Sequence, residues 1–141
     1  MLSLVYISCL SVEPGDRSGV LDDIQAVSIA RNTQLDITGL LISTTDFFAQ
    51  LLEGPGPGVE AVMASILADP RHHDVRIIRR SEVDAPRFPQ WRMARFDGEA
   101  FGLVGANPLL AACHAGQEPN SSARLDRLID AIALPTVPAR P

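Results

Sequence analysis

Two apolar segments joined by a short polar connection constrain the fold of this chain more than any other feature. ITGLLIST (37–44) and FFAQLLE (47–53) each have the length and composition of a buried strand. The sequence TTD that connects them is short enough for a tight turn, and tight turns join neighbouring antiparallel strands. We therefore expect a β-hairpin near the middle of the main domain.

The segment before the hairpin predicts one strand and one helix. Residues 2–9 alternate and are rich in β-forming side chains, which is typical of a strand. After the break at PGDRSG, Ser18 is a candidate cap for a helix that carries Asp22 and Asp23 in its first turn and ends near Thr33. Successive turns of this helix present Leu21, Ile24, Val27 and Arg31.

The segment after the hairpin predicts a second helix and two more strands. Apolar residues recur at the helical period between GPGPG and ADP, namely Val59, Val62, Met63, Ile66 and Leu67. DVRIIRRSEV (74–83) and WRMARF (91–96) predict the fourth and fifth strands, with the loop DAPRFPQ between them. The order βαββαββ begins as a ferredoxin-like sandwich, an α+β fold whose first and third strands lie side by side.

Composition and charge argue against several classes of function. A chain of 141 residues, 46% of them hydrophobic, suits one folded domain with a short appendage. The net charge is -5 and the basic residues are scattered, which argues against a nucleic-acid partner. No apolar run reaches the length of a membrane span, and the start MLSLVYISCL lacks a basic leader. We therefore expect a cytoplasmic protein without membrane contact.

The cysteines and histidines do not predict a metal site. The spacing of Cys9 and Cys113 is not that of a metal site, and two cysteines do not make a disulfide framework, so we expect both to be reduced thiols. The histidine pair in DPRHHDV follows a proline and is interpreted as part of a solvated loop.

Gln50 needs an explanation, because a buried amide without partners costs free energy. Side chains alternate along a strand, so if Leu4 and Tyr6 face inward from the first strand, Gln50 can share that face from the third. Tyr6 and Gln50 would then be neighbours, and a phenol and an amide can form a hydrogen bond. The ordinary interpretation is a satisfied Tyr–Gln pair in the core.

A second interpretation is a ligand slot between the two helices. Ile24 and Ile66 would form its apolar walls. Asn32 and Gln50 would supply polar contacts, with Arg31 next to Asn32 near the end of the first helix. A flat ring with amide-like edges needs this combination of apolar walls and a few directed hydrogen bonds.

Six short motifs, in register from about Leu2 to Phe96, carry a family resemblance. They are VYIS (5–8), LDDI (21–24), RN followed by DITGLL (31–41), FAQLLEG (48–54), DPRHHDV (69–75) and FPQWRMA (88–94). Together they resemble the BLUF domain, the flavin-based blue-light sensor. The resemblance implies a five-stranded mixed sheet with two helices on one face. It also implies FAD as the cofactor, with FMN or riboflavin as alternatives.

The resemblance further implies roles for individual residues. Tyr6 matches the tyrosine that gives an electron and a proton to the excited flavin, and Gln50 matches the switching glutamine between that tyrosine and the flavin. Asn32 matches an asparagine that bonds the polar edge of the flavin, and Ile24 an aliphatic residue that packs on the ring. Arg31 lies where relatives carry different polar residues, and a helix-terminal cation is the alternative role for it.

Trp91 and Met93 match the part of the last strand that, in this family, is thought to pass the signal outward. Both have the same parity in the predicted strand, so one can face inward while the other faces outward only if the strand shifts or twists. The alternative interpretation is that both residues only contribute packing on an edge strand, Trp91 as an aromatic side chain and Met93 as a flexible side chain that fills space.

The remainder of the chain predicts two helices. Asn107 and Pro108 start a short helix, PLLAACHA, that Gly116 ends. SSARLDRLIDAIAL (121–134) predicts another helix ended by Pro135, with an apolar stripe formed by Leu125, Leu128, Ile129 and Ile132. We expect both helices to cover the sheet face that the main helices leave open. A surface for a partner or a second copy is the alternative.

The resemblance implies a photoreceptor and not an enzyme. The chain divides into a flavin-binding domain (1–97) and a helical extension (98–141), and we expect its output to pass by contact to a separate effector protein. Whether the chain also forms a homo-oligomer is left open. Two alternatives remain, namely a flavin-free interaction module and a small ferredoxin-like enzyme that handles phosphate with Arg31 and Asn32. No nucleophile, general base or metal ligand set with sensible spacing supports the enzyme.

Overall fold

A mixed sheet of five strands runs through the described part of the chain, residues 1–97, 105–116 and 120–136 of this computed structural model. The strands are β1 (Leu2–Leu10), β2 (Thr38–Ser43), β3 (Phe47–Gly54), β4 (His72–Glu82) and β5 (Ala94–Asp97). They lie in the order β4-β1-β3-β2-β5, and all neighbours are antiparallel except β2 and β5. The predicted ferredoxin-like α+β fold and the hairpin of β2 and β3 are confirmed.

Helices cover both faces of this sheet. The helices are α1 (Arg17–Leu35), which follows a 3₁₀ turn at Pro14–Asp16, α2 (Gly56–Leu67), α3 (Ala106–His114) and α4 (Asn120–Thr136). The core under α1 and α2 includes Leu4, Tyr6, Leu21, Leu41, Leu52, Val59 and Val62. The core under α3 and α4 includes Val5, Ile7, Leu40, Ile42, Leu110, Leu125 and Ile129. Alternate residues of the strands thus enter opposite cores, and the prediction that the two C-terminal helices cap the second face is confirmed.

The strand register places the two candidate switch residues together. Tyr6 on β1 lies directly opposite Gln50 on β3, and Leu41 on β2 lies opposite Gln50 from the other side. Directly paired residues of antiparallel strands project from the same face of a sheet. Tyr6 and Gln50 are therefore neighbours beneath α1 and α2.

The two ends of α1 differ from the prediction. The helix begins at Arg17, so Ser18 lies inside it and is not its cap. Asp16 precedes the helix without a side-chain capping bond, because the chain enters α1 directly from the 3₁₀ turn. At the other end α1 continues to Leu35, and Asp36 stops it by adopting the left-handed conformation with a φ of 58°. Aspartate is one of the few residues besides glycine that adopt this conformation readily.

The histidine pair belongs to β4, so its interpretation as a solvated loop is wrong. β1 extends to Leu10, and its last residues pair Cys9 with His73 and Leu10 with His72. The histidines thus satisfy main-chain hydrogen-bonding groups at the end of β1 and belong to the sheet, although a proline precedes them.

The last helix also differs from the prediction in its final turn. α4 continues to Thr136, so Pro135 lies within the helix and does not end it. Leu125 and Ile129 of the predicted stripe are buried and Leu128 is partly buried, whereas the side chain of Ile132 lies outside the described part of the structure.

Candidate functional site

A cleft opens between α1 and α2 above the middle of the sheet. Its empty volume is about 480 Å³, the solvent-open mouth included. Five of the predicted site residues line it, namely Tyr6, Ile24, Arg31, Gln50 and Ile66. Asn32, the sixth, is fully buried next to Arg31 on α1. The register of β1 against β3 and the helical spacing on α1 thus bring the predicted residues to one place.

A buried hydrogen bond joins the two polar residues at the floor of the cleft. The hydroxyl of Tyr6 donates a short hydrogen bond to Oε1 of Gln50. The other end of the amide, Nε2, contacts the thioether sulfur of Met93 at 3.4 Å. Tyr6 is 3% exposed and Gln50 is 4% exposed, so water competes little for either group. The amide is therefore held between an oxygen partner at one end and a sulfur partner at the other.

Burial and two nearby charges set the proton affinity of Tyr6. Burial raises the pKa of the phenol well above its ordinary value, the guanidinium of Arg31 opposes this rise, and the carboxylate of Asp69 adds to it. Tyr6 therefore keeps its proton at neutral pH and remains a hydrogen-bond donor to Gln50. Burial also lowers the pKa of Arg31, an effect that Tyr6 and Asp69 oppose.

Two buried polar atoms beside the cleft have no hydrogen-bond partner within the described residues. The amide nitrogen of Asn32 donates to the carbonyl oxygen of Arg92 at 2.7 Å, but its Oδ1 is unpaired. Nε of Arg31 is also unpaired. Each unsatisfied buried group costs about 1–3 kcal/mol. An acceptor and a donor are thus left without partners at adjacent positions of α1, the donor on a residue that lines the cleft.

Arg31 lies more than one turn before the end of α1, which continues to Leu35. The alternative role of a helix-terminal cation is therefore wrong. The side chain instead lines the cleft, about half-buried, with its charge close to Tyr6 and Asp69.

Trp91 and Met93 lie on opposite sides of the sheet. β5 begins only at Ala94, so both residues belong to an irregular segment in which strand parity does not apply. Met93 is 3% exposed and packs in the core under α1 and α2, next to Gln50. Trp91 packs against the core under α3 and α4, where its ring stacks on Phe88 with centroids 5.1 Å apart.

Hydrogen bonds from α1 and β2 fix the main chain of residues 91–93. The carbonyl oxygen of Trp91 accepts a hydrogen bond from the N–H of Gly39 at 3.0 Å. The carbonyl oxygen of Arg92 accepts one from the side chain of Asn32, and the carbonyl oxygen of Met93 accepts one from Nε2 of Gln25 at 3.1 Å. Gly39 is required on β2, because a Cβ there would lie 2.1 Å from the carbonyl oxygen of Leu51. Segment 91–93 is thus tied both to the helix that carries Asn32 and to the hairpin that carries Gln50.

Sequence patterns did not indicate several residues of this site, among them His72 and Gln25. His72 lines the cleft, where Ser8 Oγ lies 2.7 Å from its Nδ1 and its Nε2 lies 2.8 Å from the carbonyl oxygen of Ile66. The motif DPRHHDV contained this histidine, but the proline favoured a loop. Gln25 was not indicated either, although its spacing of seven residues from Asn32 places both on one side of α1.

The model of one family, BLUF, described as sensors of blue light using FAD, matches residues 1–94. The chain belongs to the BLUF family. Members of this family are described as sensors, which places the chain with light-sensing modules and not with enzymes.

Individual BLUF relatives resemble the chain to different extents. The dark-state structure of the BLUF protein BlrB superposes with a TM-score of 0.78 at 31% identity, covering 92% of this chain and 95% of that one. The blue light- and temperature-regulated antirepressor BluF of Escherichia coli (strain K12) is 34% identical over 77 residues, which are 55% of this chain and 19% of that protein. The photoactivated adenylate cyclase subunit alpha of Euglena gracilis is 28% identical over 90 residues, 64% of this chain and 9% of that protein.

The chain therefore spans less than a fifth of the length of these two curated BLUF relatives. None of the helices formed by the described residues is long and apolar enough to cross a membrane.

Proposed function

We propose that this BLUF protein is a blue-light receptor whose flavin lies in the cleft between α1 and α2 and whose light response is carried by Tyr6 and Gln50. The observation that carries this proposal is the buried hydrogen bond from Tyr6 to Gln50 at the floor of an open cleft. The pair lies at the floor of a cleft whose empty volume, the solvent-open mouth included, is about 480 Å³, so a ligand seated in the cleft would contact it.

The unpaired polar atoms support a flavin as the ligand. The polar edge of a flavin ring carries an N–H group between two carbonyl oxygens. The free acceptor Oδ1 of Asn32 suits the N–H, and the free donor Nε of Arg31 suits a carbonyl oxygen. Ile24 and Ile66 supply apolar contacts for the ring. FAD is the cofactor in the family description, and ring contacts of this kind do not discriminate it from FMN or riboflavin.

The proposed light reaction uses the chemistry of each side chain. The bound flavin supplies blue-light absorption and, when excited, an oxidant. Tyr6 gives up one electron and its phenolic proton, both of which return to it when the dark state recovers. Gln50 accepts the hydrogen bond from Tyr6, and its amide exchanges donor and acceptor ends by rotation or tautomerisation. A new hydrogen-bond pattern around the amide is the product, and no substrate is converted.

Segment 91–93 is the proposed route of the signal. When the amide of Gln50 exchanges its ends, the contact of Nε2 with the sulfur of Met93 is lost. Trp91, two residues before Met93, stacks against the core under α3 and α4. A change at Met93 therefore reaches the C-terminal helices through a segment that lies on both faces of the sheet.

The output of the chain is proposed to be contact with a separate effector protein. We assign residues 1–97 to flavin binding and residues 98–141 to the helical extension that meets the effector. Two of the relatives are named for an adenylate cyclase and an antirepressor activity, and in this chain the surface of α3 and α4 would take the place of such an attached segment. A cytoplasmic location and the absence of a nucleic-acid partner are consistent with a net charge of -5.

The decisive experiment is absorption spectroscopy of the purified chain in darkness and under blue light. We expect a yellow protein whose flavin band shifts reversibly to the red, and release of the pigment by denaturation will identify the nucleotide by chromatography. A protein that stays colourless after reconstitution with FAD, FMN and riboflavin would contradict flavin binding. A yellow protein without a light-induced shift would contradict the switch.

A further inference from the structure

A second group of reactive side chains lies on the far side of the sheet from the cleft. Cys9 at the end of β1, Asp74 in β4 and His114 at the end of α3 each present one possible metal ligand, and these ligand atoms all lie within 4.8 Å of one another. The residues are 65 and 40 positions apart in the chain, which explains why no sequence spacing indicated them. We call them the Cys9–Asp74–His114 cluster.

The distances in this cluster are close to those of a coordination sphere. Sγ of Cys9 lies 3.8 Å from Nε2 of His114, and Nε2 lies 3.6 Å from Oδ2 of Asp74. Ligands at about 2.0–2.3 Å from a tetrahedral zinc ion are themselves separated by about 3.3–3.6 Å. A contraction of a few tenths of an ångström in these two distances would therefore accommodate the ion.

The cluster lies on regular elements of the fold and is open to solvent on one side. His114 is buried, Cys9 is partly buried and Asp74 is exposed, so solvent reaches the group from one side. Asp74 has a φ of 52°, the left-handed conformation, which turns its main chain so that its carbonyl oxygen lies 2.7 Å from Nε2 of His114. The main chains of β1, β4 and α3 therefore fix the relative positions of the three residues, whereas the hydrogen bond from Nε2 must break when an ion binds.

We propose that the Cys9–Asp74–His114 cluster binds a zinc ion that fastens α3 to the edge of the sheet. A thiolate, an imidazole and a carboxylate are the three ligand types that zinc prefers, and a water molecule would complete the tetrahedron. Calcium and magnesium prefer oxygen ligands alone, so the thiol and the imidazole disfavour them. This inference concerns a different part of the molecule from the flavin cleft and does not depend on the proposed light reaction.

Binding requires two proton movements. The thiol of Cys9 must release its proton to solvent, since the thiolate is the ligand. Nε2 of His114 donates to the carbonyl of Asp74 without metal, so the imidazole must shift to the tautomer protonated at Nδ1. One proton per zinc ion is therefore released, and affinity falls as the pH is lowered.

Arg76 competes with the ion but does not prevent binding. Its guanidinium contacts both carboxylate oxygens of Asp74 at 3.2–3.3 Å, and the side chains of Arg76 and Asp74 are each about half exposed. An exposed ion pair contributes about 0–1 kcal/mol, which is small beside the free energy of a zinc–thiolate site. Arg76 also donates to the carbonyl of His114 at 2.7 Å and so keeps the end of α3 in place.

The test is zinc titration of the full-length protein after removal of metals with a chelator, followed by calorimetry and by thermal unfolding. We expect one zinc ion per chain and a higher unfolding temperature with zinc. Replacement of zinc by Co²⁺ should give the visible bands of a tetrahedral site with a thiolate ligand. Absence of saturable zinc binding would overturn the proposal.

Matched variants identify the ligands. Cys9→Ser and Asp74→Asn should each weaken zinc binding by about 100-fold or more, since even groups that only orient metal ligands contribute 10–100-fold. Asparagine tolerates the left-handed conformation of position 74, so this variant keeps the backbone and loses the charged ligand. His73→Gln is the control, because His73 contacts Ser11 instead of the cluster and its loss should leave zinc binding unchanged. Wild-type affinity in both cluster variants would overturn the proposal.

Discussion

At the scale of single residues, the partners of one buried amide explain why this strand tolerates a polar side chain. Gln50 accepts a hydrogen bond from Tyr6 and contacts the sulfur of Met93, so the polar atoms that burial would penalise have partners inside the protein. Asn32 differs, because one of its two polar atoms is paired and the other is not. The site therefore contains one polar pair whose hydrogen bonds are satisfied and, beside it, an amide oxygen without a partner among the described residues.

Replacement of Gln50 by leucine tests the switch at this scale. We expect Gln50→Leu to bind flavin within about tenfold of the wild-type affinity, since one uncharged hydrogen bond contributes about 0.5–1.5 kcal/mol. The reversible red shift should disappear, because leucine has no donor and acceptor to exchange. Absorption spectra in darkness and under blue light measure both quantities.

The control is Gln34→Leu, the same chemical change at an exposed position of α1, which should photocycle normally. A Gln50→Leu protein with a normal red shift would show that the amide is not the switch.

The proton affinity of Tyr6 gives a prediction for alkaline pH. The folded pKa of Tyr6 is raised above its unfolded value, chiefly by burial, so its contribution to stability is present below about pH 10 and lost as the pH rises further. We expect the free energy of unfolding to fall by up to about 1.4 kcal/mol per pH unit from this residue. Urea unfolding at several pH values measures the slope.

Tyr6→Phe is the matched control and should lack this contribution. Because the chain has a single tyrosine, phenolate absorption can also be assigned to it directly. Phenolate absorption in the folded wild-type protein near pH 10 would contradict the prediction.

At the scale of elements, the sheet and its helices follow from patterns in the sequence, whereas segment 91–93 does not. Period-two alternation predicted which residues of β1 and β3 share a face, and the helical period predicted most of the buried residues of α2. The helical period was less successful on α1, where Val27 is exposed and the polar residues Ser28 and Asn32 are buried. Trp91 and Met93 could not be placed in this way, since both precede β5 and their positions depend on hydrogen bonds from α1 and β2. The same limit applies to Cys9 and His114, which only the packing of α3 brings together.

Trp91→Ala tests the separation of photochemistry from output. Trp91 packs on the face opposite Tyr6 and Gln50, so we expect the variant to keep the red shift. The light-induced change in hydrogen exchange of α3 and α4 should be reduced, because the stacking on Phe88 that connects the segment to that face is lost. Mass spectrometry of exchanged peptides in darkness and light measures the difference.

Phe88→Leu serves as a comparison, since it weakens the same ring stacking from the other side while keeping an apolar side chain. Complete loss of the red shift in Trp91→Ala would reject the separation.

At the scale of the whole molecule, one central sheet carries two cores, and each is closed by a different pair of helices. The two faces therefore depend on each other for stability although only one of them contains the cleft. Ion pairs add to the contact between α4 and the rest, since Asp126 lies near Arg79 and Arg87. These pairs are partly exposed, so apolar packing dominates the attachment.

Ile129→Ala tests this dependence. Ile129 is 2% exposed, and truncation of a buried isoleucine costs about 2–5 kcal/mol. We expect the free energy of unfolding to fall by this amount, with the flavin spectrum of the remaining folded protein unchanged. Chemical denaturation followed by circular dichroism measures the loss.

Leu67→Ala is the matched control at the end of α2, where the side chain is 64% exposed, and should change stability by less than about 0.5 kcal/mol. Equal effects of the two substitutions would show that α4 does not contribute a core.

The unequal partners of Gln50 have one more consequence for the proposed light response. The oxygen-to-oxygen bond with Tyr6 is short, whereas the sulfur of Met93 is a weak acceptor at 3.4 Å. In the proposed response, the more weakly held end of the amide would change its contact first, and the change would pass toward segment 91–93 instead of into β1. The relative strength of the two contacts of Gln50 would therefore set the direction in which the signal leaves the site, without a large movement of any element.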